Sequence, residues 1–387
     1  MAVYLDHNAT TPLDPQVVAA MRHALEALFG NPSSGHAYGE AAAGAVAAAR
    51  EQVAGLLGCR PGEVTFTSGG TESNNLALIG AVAAARGGDG HLVTSVVEHP
   101  SVLEVCRHLE RRWGCAVTYL AVDGEGRVDP DDVARALRPA TVAVSIMHAN
   151  NETGVLQPIA EIARVVRERG VLLHTDAAQS VGKVAARVDE LGADLLTVAA
   201  HKLYGPKGVG ALYVRDGVSL DPVLRGAGQE HGLRPGTENV AGIVGLGAAC
   251  AAAAQAHAGG ETARVAALRD RLWQALRADG WRRNGHPTEV LPNTLNVSAD
   301  GADGMELLAR APEVAASTGS ACHTGRTEPS PVLAAMGVPE SRALGAVRLS
   351  LGRSTTPADV DAAAAALVRA AREAPALPGV RDAIRGR

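Results

Sequence analysis

Lys202, Asp176, His99 and the Gly69-Gly70-Thr71 turn share one placement, each standing where a short apolar, β-rich run gives way to a polar loop. Lys202 closes "DLLTVAAHK", Asp176 closes "VLLHTD", His99 follows "HLVTSVVE", and "TSGGTESNN" follows "EVTF". A lysine must lose its proton to act as a nucleophile, and partial burial at a strand end favours the neutral form. A carboxylate in the same setting is costly unless it is paired. Two glycines and a hydroxyl at the start of a helix gather free N–H groups and the positive end of the helix dipole around an anion such as phosphate. Each feature alone also has a plain use: a surface lysine, a helix N-cap, a first-turn histidine, a capped turn. Cys322 stands apart in "STGSACHTGRTEPS", where few side chains are fit to hold a core. Such polar surroundings suit a reactive thiol better than a packed one.

The elements that must position these groups alternate along the chain. "EVTFTS", "HLVTSVV", "TVAVSIM", "VLLHTDAA" and "DLLTVAA" read as strands, and helical stretches such as "ESNNLALIGAVAAAR", "SVLEVCRHLERR" and "IAEIARVVRERG" separate several of them. Apolar strands joined by helices predict a mostly parallel sheet with helices on both faces, an α/β fold. Ligands of such sheets bind outside the carboxyl ends of the strands, where the polar groups stand. After "VGALYV" the pattern changes to "TARVAALRDRLWQALRADG", strands "TLNVS" and "AVRLSLG", and an Ala-rich helix from about residue 357, which predicts a smaller α+β domain. A phosphate at Gly70-Thr71, an aldehyde on Lys202, a pyridinium on Asp176 and an aromatic ring near His99 together describe pyridoxal 5′-phosphate.

Composition narrows the classes. With 36 basic and 41 acidic residues the net charge is −5, which argues against a nucleic-acid partner. Five cysteines, at 59, 106, 115, 250 and 322, form no Cys-x-x-Cys pair, so neither a metal site nor a disulfide framework is expected and a cytoplasmic setting fits. Asp6 and His7 stand where an export signal needs an apolar run. Residues 240 to 258 carry no Asp, Glu, Lys or Arg and reach membrane-spanning length, but Ala and Gly dominate them, so a buried or interface helix is expected and no membrane.

The motifs "YLDHNATTP", "FTSGGTESNN", "ANNETG", "HTDAAQSVGK", "HKLYGPKGVGALYV", "RPGTEN", "GSACHTG" and "VRLSLGRSTT", in this order over almost the whole chain, resemble those of cysteine desulfurases and selenocysteine lyases in the class V aminotransferase superfamily. The resemblance implies the fold-type I architecture of pyridoxal-phosphate enzymes. Residues 1–15 would be an arm joining the small domain, 16–255 the large cofactor domain, and 256–387 the small domain with the cysteine loop. It implies a homodimer. Carried over by position, Lys202 is the lysine that takes the cofactor, Asp176 the pyridinium partner, and His99 the stacked residue and proton shuttle. Gln179 matches a partner of the phenolic oxygen, Asn151 a residue near substrate and ring, and Thr71 and His201 phosphate positions. Thr237 matches a residue reaching the opposite subunit's phosphate, and Arg348 the clamp on the substrate carboxylate. Ala199 stands where many relatives have Ser, which removes one phosphate hydroxyl, and His323 follows the cysteine where many desulfurases have Thr.

The reaction so implied takes sulfur from L-cysteine, leaves L-alanine, and places a persulfide on Cys322 for a sulfur-acceptor protein such as an iron–sulfur scaffold or a sulfur carrier. The run from Ser317 to Pro331 has the length of the longer-loop desulfurases. A selenocysteine lyase would use the same apparatus, a generic aminotransferase would use Lys202 and Asp176 without Cys322, and a cofactor-free scaffold binding a sulfur carrier would need neither.

Overall fold

β1 (Val3–Tyr4) opens the chain, and seven further strands build the main sheet: β2 (Val64–Thr67), β3 (His91–Ser95), β4 (Ala116–Leu120), β5 (Thr141–Ser145), β6 (Leu172–Asp176), β7 (Leu195–Ala199) and β8 (Gly210–Val214). The computed structural model describes residues 2–85, 90–318, 322–323 and 326–374. Across the sheet the order is β2-β8-β7-β6-β5-β3-β4. Only β8 runs against its neighbours β2 and β7, while β3–β4, β3–β5, β5–β6 and β6–β7 pair in parallel. The parallel α/β sheet read from the sequence is therefore present, with one reversed strand.

Successive residues on these strands bury on opposite faces, which is why the runs are apolar without alternation. Leu92 and Ala143 pack with Leu78, Val102 and Leu109 of helices Gly70–Ala84 and Pro100–Trp113. Their neighbours Val93 and Val144 pack with Ile159, Ile162 and Val166 of helix Ile159–Arg167. Leu196 and Val198 extend that second face towards helices Ala37–Leu57 and Val240–Ala258.

Helix Val240–Ala258 is the only described helix long and apolar enough to cross a membrane. In this fold it buries Ile243, Leu246, Ala249, Cys250 and Ala253 in the core. Its glycines serve close approach: a Cβ at Gly247 would lie 2.7 Å from Ala49 Cα, inside any permitted contact. Composition that reads as a membrane span is here a requirement of helix-on-helix packing.

A second, antiparallel sheet of order β14-β10-β9 joins β9 (Arg282–Asn284), β10 (Thr294–Ser298) and β14 (Ala346–Ser350). Helices Glu261–Ala278 and Pro357–Glu373 contribute Leu272, Leu276, Val360 and Leu367 to its core, and Leu5 of the amino-terminal segment is buried among them. β1 pairs in parallel with β11 (Val314–Ala315), tying the amino-terminal segment to this unit. β12 (Cys322–His323) and β13 (Arg326–Thr327) form a two-stranded hairpin.

Candidate active site

A cleft of about 320 Å³ opens at the carboxyl ends of β3, β5, β6 and β7. Gly70, Thr71, His99, Asn151, Asp176, Gln179, His201, Lys202 and Arg348 all line it. The strand-end placement inferred from sequence thus becomes a single wall, closed on the far side by β14 and the amino-terminal segment through Asn8 and Ala9.

Lys202 sits on the short helical turn Ala200–Lys202 that ends β7, and its Nζ donates to the main-chain oxygens of Asn8 (2.5 Å) and Ala9 (2.9 Å). The turn is stapled by Thr11, whose N–H and hydroxyl both donate to His201 O, at 2.9 and 3.0 Å. Tyr204 follows in a left-handed conformation (φ 66°), a strained state for a non-glycine residue. Its N–H donates to Thr11 Oγ1 (2.8 Å), and its ring stacks beneath Arg353, 4.2 Å from ring centre to guanidinium carbon. Burial first, then the Arg348 charge, push the Lys202 pKa down to about 8, against the pull of Asp176 and Asp6. About a tenth of the amine is then neutral at pH 7.

Asp176 ends β6 and is buried. Its Oδ1 accepts from Ala178 N (2.9 Å) and its Oδ2 from Asn74 Nδ2 (2.7 Å). The same Asn74 amino group donates to Ser101 Oγ (2.8 Å), which lies 2.7 Å from His99 Nδ1. His99 caps helix Pro100–Trp113 by accepting from Ser101 N (3.1 Å). A backbone N–H only donates, so Nδ1 is unprotonated in this cap and Nε2 is the nitrogen left for a proton. His99 is solvent-exposed at the cleft mouth, yet desolvation lowers its pKa, with Lys202 in support and Asp176 opposed. Behind it, the buried Glu98 carboxylate accepts from Ser95 Oγ (2.7 Å) and Met147 N (3.0 Å), tying the end of β3 to the end of β5. Beyond β5, Asn150 Oδ1 accepts from Glu152 N and Thr153 N, both at 2.9 Å, and this side-chain turn carries Asn151 to the cleft edge.

Arg348 rises from β14 with little solvent exposure. Nη2 donates to Asp6 Oδ1 (2.8 Å) and Nη1 to Asn151 O (3.0 Å), whereas Nε is buried without a partner among the described residues. Asp6 Oδ2 in turn accepts from Ser317 Oγ (2.8 Å).

The residues present fit pyridoxal 5′-phosphate. At the amino end of helix Gly70–Ala84, Gly69 adopts φ 149°, ψ −177°, a region essentially confined to glycine. A Cβ at Gly70 would lie 3.5 Å from Ala199 Cβ, 3.7 Å from Thr197 Cγ2 and 3.9 Å from Ala178 Cβ, so a side chain there would fill the cradle. The first N–H groups of a helix have no internal partner and are available to an anion. Glu72 shapes the turn, accepting from Ser68 N (2.7 Å) and Arg234 Nε (2.9 Å). His201, half-buried, has its pKa pushed down to about 4 by burial and by Lys202. Ala199 lines the cleft with a methyl where the family resemblance leads one to expect a hydroxyl.

Thr237 is exposed and does not line the cleft of its own chain. The side chain of Cys322 lies outside the described residues; its backbone pairs with Thr327 in the β12–β13 hairpin. Asn8, Asn74, Ser101, Asp6 and Lys183 escaped the sequence reading. Asn8 and Asp6 lay inside the quoted "YLDHNATTP", and Lys183 inside "HTDAAQSVGK", which was the available signal.

The aminotransferase class-V family model matches residues 3–363. Over 363 residues, 93% of this chain and 92% of the relative, the sequence is 46% identical to the cysteine desulfurase IscS of Dictyoglomus turgidum. Among solved structures, a NifS-like protein superposes with a TM-score of 0.89 at 36% identity, covering 95% of this chain and 99% of that one. SspA in complex with cysteine superposes with a TM-score of 0.79 at 38% identity, covering 90% of this chain and 98% of its own.

Proposed function

Since the chain belongs to the aminotransferase class-V family and is a pyridoxal 5′-phosphate-dependent cysteine desulfurase, we propose that the cleft around Lys202 takes L-cysteine, releases L-alanine and leaves the sulfur on Cys322. The observation that carries this reading is the convergence of Lys202, Asp176, His99 and Arg348 on one cleft. Lys202 Nζ would hold the cofactor at its aldehyde carbon, the Gly70–Thr71 helix end and His201 its phosphate, Asp176 its ring nitrogen, Gln179 its phenolic oxygen and His99 its ring face. With Ala199 in the wall, the phosphate is held with one hydroxyl fewer. When bound, the cofactor supplies an electron sink for the charge developing at the substrate α-carbon.

The chain's own groups do the rest. Arg348, whose Nε has no partner among the described residues, takes the substrate carboxylate while Asp6 keeps the guanidinium plane in place. Lys202, with its pKa near 8, is neutral often enough to attack a carbonyl carbon and, once released, to accept the α-proton. His99 holds Nδ1 in its cap and moves a proton at Nε2. The Cys322 thiolate attacks the substrate sulfur: the S–S bond forms as the Cβ–S bond breaks, and the electron pair stays with the carbon fragment, which is protonated on the way to alanine. The persulfide then passes to a sulfur-acceptor protein.

A homodimer is part of the same proposal. It would bring Thr237, exposed and remote from its own cleft, to the phosphate of the partner subunit. The proposed setting is the cytoplasm, whose reducing thiol pool keeps Cys322 free to take up sulfur.

A single turnover tests the reading. Protein loaded with pyridoxal 5′-phosphate and mixed with L-cysteine is expected to yield one alanine and one additional sulfur on Cys322 per site, and borohydride reduction of the loaded protein is expected to label Lys202. Pyruvate in place of alanine, or a label on Lys207 or Lys183, contradicts it.

A further inference from the structure

Lys183 is half-buried behind the cleft wall and forms no ion pair among the described residues. Its Nζ donates to two side-chain amide oxygens, Gln179 Oε1 at 2.9 Å and Asn8 Oδ1 at 3.3 Å. The charged groups acting on it, Lys202 and Arg348, are both cations, and with burial they hold its pKa well below the ordinary lysine range. An amine buried this way adds no ion-pair stabilisation. What it does supply is direction, because charged or neutral its Nζ carries N–H donors for both oxygens.

At Gln179, Lys183 fixes Oε1 as the acceptor and so turns the amino group forward. One N–H of that group donates to Asn8 O (2.9 Å), the same carbonyl that receives Lys202 Nζ, and the other is left over in a residue that lines the cleft. Asn8 is fixed independently: Oδ1 also accepts from Asn293 Nδ2 (3.0 Å), and Nδ2 donates to Thr294 Oγ1 (2.9 Å) and Asn151 O (3.3 Å). Loss of Lys183 therefore leaves the Asn8 amide held on its other contacts, whereas the Gln179 oxygen becomes a buried acceptor without a donor. A buried unmatched acceptor is costly, and because a simple flip would set Oε1 against the Asn8 carbonyl, the amide relieves it by leaving this position, which takes the N–H out of the cleft.

We propose that Lys183 is a positioning residue that sets the orientation of the Gln179 amide and thereby keeps an N–H donor, rather than a carbonyl, facing the cofactor side of the cleft. This rests on the cofactor placement proposed above and adds to it a residue that touches neither cofactor nor substrate. The test is a double-mutant cycle of Gln179→Ala and Lys183→Met. It is read from the visible absorption band of protein loaded with pyridoxal 5′-phosphate as a function of pH, together with kcat/KM for L-cysteine. Lys183→Met is expected to move the band's pH midpoint in the same direction as Gln179→Ala, to lower kcat/KM on the order of 10-fold, and to have no further effect once Gln179 is Ala. An unmoved band in Gln179→Ala overturns the cofactor contact proposed above. An unmoved band in Lys183→Met alone, or effects that simply add in the double variant, overturns the role of Lys183. Should Lys183→Met prove insoluble, Lys183→Gln, which keeps an uncharged N–H donor group, enters the same cycle with a smaller expected shift and the same two criteria.

Discussion

The two walls of the cleft are built differently. On the strand-end wall, Asp176 has a hydrogen bond on each oxygen and His99 Nδ1 is occupied by its cap, so the groups that would meet the cofactor are fixed in advance. On the opposite wall, Arg348 is steadied by Asp6 and Asn151, and yet its buried Nε has no partner among the described residues. The cofactor-facing groups of one wall are complete, although Asn74 Oδ1 behind them has no partner among the described residues, and the other wall keeps a strong donor in reserve. The difference follows the proposed roles: a cofactor that stays benefits from a rigid receptor, while a substrate that comes and goes benefits from a donor whose interaction is realised on binding.

Breaking the complete wall is expected to have the larger effect. Asp176→Ala removes the charge that keeps a ring nitrogen protonated, and kcat is expected to fall on the order of 10³-fold even in protein matched for cofactor occupancy. Near-normal turnover in such protein would remove Asp176 from the mechanism. On the reserve wall, Arg348→Met is expected to lower kcat/KM about 10²-fold, chiefly through KM, because the lost contact serves binding. Asp6→Asn, which loosens the guanidinium without removing it, is expected to raise KM by about 10-fold. If Asp6→Asn matched Arg348→Met, the clamp would depend on the ion pair itself and not on the free Nε.

A further effect, on stability and not on turnover, concerns histidines buried on both sides of the cleft. Burial pushes the pKa values of His7, His148 and His174 from 6.5 down to about 4, so the fold keeps all three neutral. As pH falls below 6.5 the unfolded chain takes up protons that the native state refuses. Stability is then lost progressively down to about pH 4, on the order of 2 kcal/mol per histidine at pH 5. Glu98, pushed up to about 8 by burial, works in the opposite sense: the fold retains a proton that the unfolded chain loses above about pH 4.5, so its share is lost as pH rises towards 8. With four histidines held near 4, His201 included, against the raised carboxyls Glu98 and Glu152, melting temperature is expected to drop between pH 7 and pH 5, and His148→Gln is expected to flatten that drop. An unchanged acid limb in the variant would mean that His148 is protonated in the fold.

Much of the strand-end wall was legible in the sequence because each of its polar groups interrupts an apolar run, as Asp176 does after "VLLHT" and Lys202 after "DLLTVAAH". Edge strand β4 was harder to see, since most of its residues are only partly buried and its apolar signal is diluted. The supporting network was not legible at all. Asp6 meets Arg348 across 342 positions and Asn8 meets Lys202 across 194, and no local period encodes such pairings. Asn74 reads as an ordinary first-turn helix residue until β6 brings Asp176 against it. The role proposed for Thr237 involves a second subunit, which one chain's local pattern does not describe.

In the proposed reaction Cys322, and not the cofactor wall alone, takes the sulfur. Its most direct test is alanine release by wild type and Cys322→Ala, matched for cofactor occupancy, with L-cysteine and with L-selenocysteine. The account predicts that the variant loses cysteine turnover by on the order of 10²-fold or more, because the substrate sulfur then has no nucleophile to receive it. The variant should keep appreciable selenocysteine turnover, since a selenol is more acidic than a thiol and departs more readily. Equal release of alanine from cysteine by both proteins would contradict the account.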